Sequence, residues 1–553
     1  METSESRRND LHTVLRYHER TKHHLRRYAQ SLGYLDWATQ PHPFRSYEGT
    51  QRVGLPFVRG DAQIPFAALY ETAGRDPVDV TCSSVGALLE LSLAISAWKS
   101  AGGSPWALRI NPSSGNLHPT EAYTIVPPLG EEPAGVFHYN PYLHVLERRA
   151  AMTTDAWSAV EGHFGAKGIL LALASIPWRE AWKYGERAFR YCQLDVGHAL
   201  AAIRFSAALL GWRVIYLSGV PDESLRAVLG FDRTRWSAHE EEHAECVCWI
   251  TAPRVEGFPP GLPDTLIAQC RSAVFAGEPN TLSTAHVHWS AIDEVIRATA
   301  AGGGRESAVP CVTAPLRKTV DDVSASTVIR RRRSGVRYDG RTSISRDDLL
   351  SILDKTLPRS APPFDAAVID ACTNLLVFVH RVKDVEPGLY FFHRENRGLD
   401  DLRRTTRKSF SWKRVEDSFP LYQLATGSVE ELATRVSCHQ PIAGESAISL
   451  GMVSNFRPAI KGDPHAYRRL FWEAGMIGQV LYLEAEARGL RGTGIGCFFD
   501  DEVHRVLGLA DDAFQCLYQF AIGGPVEDSR VQTWPPYVHL ETGPDAERPG
   551  RSG

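Results

Sequence analysis

Apolar positions along this chain fall into two kinds of run. Short continuous runs bounded by Pro or charged residues read as buried strands: YTIVPP at 123–128, GILLALAS at 168–175 and CVCWITAP at 246–253. The second half adds LLVFVHRV (375–382), GLYFFH (388–393), AISLGMVSNF (447–456) and LYQFAIGG (517–524). Longer stretches repeat their apolar positions at helical spacing. Residues 187–211 predict the longest amphipathic helix of the first half, stopped at Gly211. Residues 81–99 predict a buried helix opening on a capping residue. Strands separated by long helices, with no series of βα units, predict an α+β architecture.

The same pattern occurs twice. Residues 189–231 and 467–509 align without a gap at an offset of 278 positions. Arg190/Arg468, Gly197/Gly475, Ala207/Ala485, Gly211/Gly489, Arg213/Arg491, Asp222/Asp500 and the VLG at 228–230 and 506–508 are identical, and Asp195/Glu473 match in character. Solenoid repeats run to roughly 20–50 residues, so this period is a whole domain. A Pro- and Gly-rich stretch at 254–285 and AGGGRES at 301–307 place a linker between the copies. The expected units are residues 1–255, a linker at 256–320, and residues 321–545.

Composition narrows this picture little. With 553 residues, 43% hydrophobic, 23% charged and a net charge of -4, the chain is an ordinary globular protein with no general pull toward nucleic acid or membrane. Residues 7–28 are locally basic and read as a solvated helix. Ten scattered Cys without a CxxC, and a polar start, METSESRRND, lead us to expect a cytoplasmic protein with no membrane span.

Five motifs carry candidate chemistry. RINPSSGNLHPTEAY (109–123) places Pro112, Ser113, Ser114 and Gly115 in a tight turn that exposes N–H groups and hydroxyls. Such a turn suits the edge of a planar polar ring, and equally a plain capped turn. RRRRSGVRYDG (330–340) clusters five Arg around Ser334, which suits a terminal phosphate or a solvated basic loop. GTGIG (492–496) follows a helix, whereas the dinucleotide fingerprint opens one, so its glycines are read as letting backbone approach a flat ligand. HEEEH (239–243) has zinc-protease spacing but sits in a loop, and no metal is expected. EAWKYGER (180–187) sets Lys183 and Tyr184 just before the repeated helix; either needs tuning to act near neutral pH.

Together these segments resemble the nitroreductase superfamily, in particular SagB-like azoline dehydrogenases in tandem-domain form. YHERTKH (17–23), LDWATQPHPFRSYEG (35–49), the 109–123 segment, WKYGERAFRY (182–191) and GHALAAIRFSAALLGW (197–212) carry the likeness in the first half. RRRRSGVRYDG, residues 465–496 and IGGPVEDSR (522–530) carry it in the second. The resemblance implies two fused nitroreductase-like domains, each with a mostly antiparallel sheet and helices, forming an intramolecular pseudo-dimer that holds FMN between its halves. Carried over residue by residue, Arg332, Ser334, Gly494, Gly496 and Arg530 would come from the second half, with Arg337 as a substitute where Val336 replaces a basic residue. Pro112, Ser113, Ser114 and Gly115 would come from the first half.

The reciprocal site reads as decayed. Pro41 and Pro43 stand opposite Arg332 and Ser334, Tyr216 and Ser218 opposite Gly494 and Gly496, and RSAPPFD (359–365) replaces the Pro-Ser turn. One FMN per chain is therefore expected. Lys183 and Tyr184 match the family's catalytic pair, whereas the second half has Lys461 followed by Gly462. The implied activity is oxidation of an azoline, or a similar C–N or C–C bond, in a ribosomal peptide, a carrier-bound intermediate or a small molecule, with modification-complex proteins as partners. The alternatives are NAD(P)H-dependent reduction of nitro compounds or quinones, and a retired binding scaffold.

Overall fold

The structure, a computed structural model, describes residues 4–58, 63–71, 75–251, 257–303, 315–318, 320, 322–366, 370–395 and 398–541. Parts of the expected linker, 256, 304–314 and 319, lie outside them. Two antiparallel sheets of seven strands carry the fold. The first is built from β1 (Arg52–Gly54), β2 (Thr120–Val126), β3 (Gly135–Asn140), β4 (Val145–Ala151), β5 (Gly168–Ser175), β6 (Arg213–Tyr216) and β7 (His243–Thr251), in the order β1-β4-β3-β2-β5-β7-β6. The second is built from β8 (Thr373–Val379), β9 (Gly388–Phe392), β10 (Lys413–Glu416), β11 (Phe419–Thr426), β12 (Ile448–Asn455), β13 (Arg491–Ile495) and β14 (Phe514–Gly523), in the order β10-β11-β9-β8-β12-β14-β13. The central strands are buried along their length, as expected of continuous apolar runs covered on both faces. Only the outermost strand differs in origin: β1 arrives from upstream, whereas β10 is half of an inserted hairpin with β11.

Each half contributes one long helix, α1 (Ala188–Leu209) and α2 (Ala466–Ala487), and the two pack on each other. Their crossing is set by the repeated glycines. A Cβ on Gly475 would lie 2.2 Å from the Leu194 carbonyl oxygen, and one on Gly197 would lie 2.3 Å from that of Trp472. The other repeated identities are also explained here. Arg190 reaches Asp500 at 2.8 Å, and its counterpart Arg468 reaches Asp222 at 3.0 Å, so one buried Arg–Asp pair crosses the seam in each direction. Gly230 and Gly508 both end helices with φ of 73° and 79°. One apolar cluster runs through both halves, joining Leu194 and Leu200 to Leu470 and Ile477. The chain is an intramolecular pair of α+β units.

Two sequence expectations change. The helix expected over 81–99 starts on Thr81 with a capping box but ends at Glu90. Residues Ile95–Ala101 instead pair with Ser104–Arg109 and with Gln532–Trp534, which crosses over from the far end of the chain. The basic N-terminal segment is only partly solvated. After the helix Ser4–Arg20, Lys22 meets Asp501 at 3.1 Å, and the His23 amide donates to Asp500 Oδ2 at 2.9 Å. In HEEEH, Glu240 and Glu242 are fully buried: Glu240 accepts from the Leu282 and Ser283 amides, and Glu242 accepts from the Tyr47 and Tyr123 hydroxyls. The segment at 257–303 is therefore clipped onto the first sheet, with its own helices Asp264–Ser272 and Ser290–Ala298.

Candidate functional site

A cavity of about 410 Å³ opens between the halves beside α1. One wall is the turn that follows Arg109. Its backbone enters the left-handed region at Gly115 (φ 60°), Asn116 (φ 60°) and His118 (φ 53°). Ser113 Oγ accepts from the His118 amide at 2.8 Å, and Asn116 Nδ2 donates to Ala107 O at 2.8 Å, which freezes the turn. Asp195, on α1, accepts from Ser114 N at 3.1 Å and from Ser114 Oγ at 3.2 Å. The helix Pro177–Tyr184 closes that end. A Cβ on Gly115 would lie 2.6 Å from the Tyr184 hydroxyl and 3.2 Å from Lys183 Nζ, so only glycine admits the pair.

The opposite wall comes from the second half. The helix Ala325–Arg331 ends at Arg332, which donates from Nη2 to Arg109 O at 2.8 Å and lies over the Tyr482 ring at 5.1 Å. Arg333 donates to Ser96 O at 2.9 Å. Ser334 Oγ and the Gly494 amide both meet the Tyr482 hydroxyl at 2.9 Å, which fixes the edge strand β13 beside them. GTGIG has residues 492–495 on this strand. Its glycines are required by tyrosines packed against the backbone: a Cβ on Gly494 would collide with Tyr518 and one on Gly496 with Tyr191.

Charge is distributed unevenly. Arg332 is 3% exposed, and among the described residues neither it nor Arg333 meets a carboxylate within 4.0 Å. Burial lowers the pKa of Arg332; burial and then the charge of Arg332 lower that of Arg333 to about 10. Arg109, which lines the same end, is also drawn down by burial to about 10. Three arginines with no carboxylate against them among the described residues make this end suited to an anion. At the other end burial pushes the Tyr184 phenol well above its ordinary value and raises the Asp195 carboxyl to about 7, against the pull of hydrogen bonds from Ser113 and Ser114. His198 on the floor is lowered to about 3 by burial, so its ring is neutral.

Of the residues singled out in the sequence, Pro112, Ser113, Ser114, Gly115, Tyr184, Arg332, Ser334, Gly494 and Gly496 line this one cavity, and Lys183 stands directly behind Gly115. Two are not brought in. Arg530 folds back on Asp528 at 2.7 Å and is 85% exposed, and Arg337 is exposed outside the wall. Sequence reasoning missed Lys99, Arg109, Arg333, Tyr482 and Asp195; the charge of Arg333 was visible in the cluster, but its direction was not.

The turn side of the pseudo-symmetric position is filled. Arg204, the counterpart of Tyr482, grips Asp365 with both ends of its guanidinium at 2.8 and 2.7 Å. The short turn Phe364–Ala366 packs onto β6, where the ring edge would lie. Glu473, the counterpart of Asp195, is neutralised by Arg394 at 2.7 Å. A polar cavity of about 670 Å³ persists beside Tyr216 and Ser218, but Arg7, Arg297 and Arg469 line it and no part of the 359–365 turn does. A further cavity of about 660 Å³ lies behind the helix Pro177–Tyr184. Arg468 in its wall is already paired with Asp222 and Glu245, and the anion-seeking arginines lie elsewhere.

The nitroreductase family model matches residues 91–243 and 430–524. A protein of Methanocaldococcus jannaschii named as a nitroreductase is 26% identical over 122 residues, which is 21% of this chain; the match spans 62% of that relative's length. A crystal structure from Anabaena variabilis, described as a nitroreductase, aligns over 93% of this chain and 99% of its own with a TM-score of 0.67 at 22% identity, a likeness that concerns the fold. With one matched segment in each half and one sheet around each, the fold is that of two fused nitroreductase-like units.

Proposed function

We propose that the cavity between the halves binds one FMN and that the chain is an FMN-dependent oxidoreductase: a SagB-like dehydrogenase that oxidises an azoline, or a similar C–N or C–C bond, in a peptide-derived or carrier-bound substrate. The observation that carries this reading is the pairing of a buried arginine end, to which the second half brings Arg332 and Arg333 beside Arg109, with a hydroxyl-lined turn of the first half at the other end. The residues present fit the cofactor. Arg332 Nε, Arg109 Nε and Asn111 Oδ1 are buried without hydrogen-bond partners among the described residues, which suits a polar ligand with a phosphate. Arg332, Arg333 and Ser334 would hold that phosphate, and the Pro112–Gly115 turn would face the ring edge.

Bound there, FMN supplies the acceptor for the two electrons of the oxidation. The chain orients the substrate and handles its proton. Lys183 and Tyr184 stand against the turn for that task; Tyr184, its pKa raised by burial, keeps its phenolic proton near neutral pH and so serves as a donor or relay. The closure of the reciprocal position by Arg204 and Asp365 supports a single flavin per chain.

The test is the visible spectrum of the purified protein and its flavin-to-protein ratio after reconstitution. A flavin spectrum with a ratio near one is expected. A ratio near two overturns the one-site reading, and a colourless protein that takes up no FMN overturns the cofactor, leaving a binding scaffold. Rapid bleaching of the flavin by NAD(P)H alone would replace the dehydrogenase with a nitro or quinone reductase.

A further inference from the structure

Behind the Pro112–Gly115 turn lie two buried carboxyl groups. Asp195 is 1% exposed, and its oxygens accept from the turn, with the Ser114 amide and hydroxyl at 3.1 to 3.3 Å and Ser113 beside them. Glu180, on the helix that carries Lys183 and Tyr184, is fully buried, and neither of its carboxylate oxygens has a hydrogen-bond partner among the described residues. No Lys or Arg nitrogen lies within 4.0 Å of either group among the described residues. The groups that face the pair are Lys183 and Tyr184 on the same helix as Glu180, Cys192 on α1, Ser113 and Ser114 on the turn, and Tyr518 on β14. Two carboxyls placed so cannot both be charged, because each ion would be desolvated and would repel the other. Burial, then the charge of Asp195, raises Glu180 well above the carboxylate range.

The second half serves as an internal control. At the position of Asp195 it keeps an acid, Glu473, but this one is held by Arg394 at 2.7 Å, by the Cys372 amide at 3.1 Å and by the Thr373 hydroxyl at 2.8 Å. It is a salt-bridged structural carboxylate. At the position of Glu180 it has Pro458, and at that of Tyr184 it has Gly462. The uncompensated acid pair therefore occurs only beside the open cavity.

We propose that Asp195, with Glu180 as its neutral partner, is the acceptor of the substrate proton in the dehydrogenation, reached through Tyr184 and the Ser113–Ser114 hydroxyls. This rests on the dehydrogenase reading above. Turning one single bond of the substrate into a double bond removes two electrons and two hydrogens. One hydrogen leaves with the electron pair, for which bound FMN would be the acceptor. The other departs as a proton and binds a carboxylate oxygen of Asp195, which becomes a neutral acid until the proton escapes to solvent between turnovers. Glu180 stays protonated and so adds no second negative charge beside Asp195, whose anion is disfavoured by its own burial.

The experiment compares the wild-type protein with Asp195→Asn and Glu180→Gln, by carboxyl infrared bands followed from acid to alkaline pH and by the pH dependence of azoline oxidation. Asn keeps the acceptor for the Ser114 amide. The wild type is expected to lose a carboxylic-acid band with a midpoint of about 7, the value to which burial drives Asp195. In Asp195→Asn that titration should vanish and turnover should fall on the order of 100-fold, with flavin content and KM unchanged. In Glu180→Gln, which puts a neutral amide where a neutral acid stood, the midpoint should stay near 7; a clear fall would mean that Glu180 is charged and would overturn its role as the neutral partner. The proposal is overturned if Asp195→Asn keeps the wild-type band and pH profile, or if its loss of activity is a rise in KM or a loss of flavin, which would make Asp195 a positioning residue for the turn. The infrared titration also works without cofactor: its presence in a protein that binds no FMN would sink the cofactor reading alone, and its absence would sink the acid pair.

Discussion

Replacing Arg332 with Met separates the needs of the fold from those of the ligand, because the two effects have opposite signs. The guanidinium is 3% exposed, donates one hydrogen bond at 2.8 Å to Arg109 O, lies over the Tyr482 ring at 5.1 Å and leaves Nε without a partner. Glu486, whose charge reaches it, is already engaged by Arg491. Burying a cation costs several kcal/mol. One hydrogen bond to a carbonyl and one ring contact return about 3 kcal/mol together. Met fills similar volume without the charge, so the ligand-free variant is expected to be about 1 kcal/mol more stable than wild type. FMN binding should move the other way. Loss of one buried charge-assisted phosphate contact costs about 2–3 kcal/mol, or on the order of 100-fold in Kd. Urea unfolding of the apoprotein, followed through its 13 Trp, reads the first effect, and flavin fluorescence titration reads the second. A variant that is less stable without ligand and binds FMN as tightly as wild type would refute the reasoning and make Arg332 a strut of the seam.

Three other outcomes are expected. Because the Asp195 pKa is about 7 in the fold against an ordinary 3.8, its stabilising contribution is complete below 3.8 and is lost as pH rises through 7. Between pH 5 and pH 8 this removes about 2.5 kcal/mol from the wild type and none from Asp195→Asn, so equal urea midpoint shifts in the two would contradict it. Gly475→Ala puts a methyl 2.2 Å from the Leu194 carbonyl oxygen and must spread α1 from α2, at a cost of about 1–3 kcal/mol; an unchanged Tm would show that the crossing has slack. Asp365→Asn strands Arg204 at 4% exposure, so stability should fall by about 3 kcal/mol while flavin content stays constant. A second equivalent of FMN in that variant would mean the reciprocal position is latent rather than closed.

The identities between the two copies were legible as a duplication, and the structure gives their cause. Arg190/Arg468 with Asp222/Asp500, and Gly197/Gly475, are the reciprocal contacts that hold the halves together, so both members had to be kept. The positions that carry chemistry are those that diverged, as Tyr482 and Arg204 did. The long helices and central strands were legible because their burial depends on local periodicity. The strand at 95–101 was not, because an apolar run of that length is helix or strand according to its partners, and one of these is Gln532–Trp534. Arg530 was misleading for a local reason: Asp528 two residues earlier captures both its amide and its guanidinium. Asp195 was hidden in plain view, since the same helical position holds a neutralised acid in one half and a protonatable one in the other.

The closed side of the seam has a mechanical consequence. Arg204 and Asp365 form a two-bond clasp between the halves, whereas the open side is spanned by ligand-sized space and by single hydrogen bonds from Arg332 and Arg333 to carbonyls. The cavity edge is held instead at its rim, where Gln532–Trp534 of the second half pairs with Ile95–Ala101 of the first and Arg330 meets Glu90 at 2.9 Å. Both edges are tied within one chain, so a ligand entering between the halves has no dissociated state to compete with, as it would in a symmetric two-chain assembly.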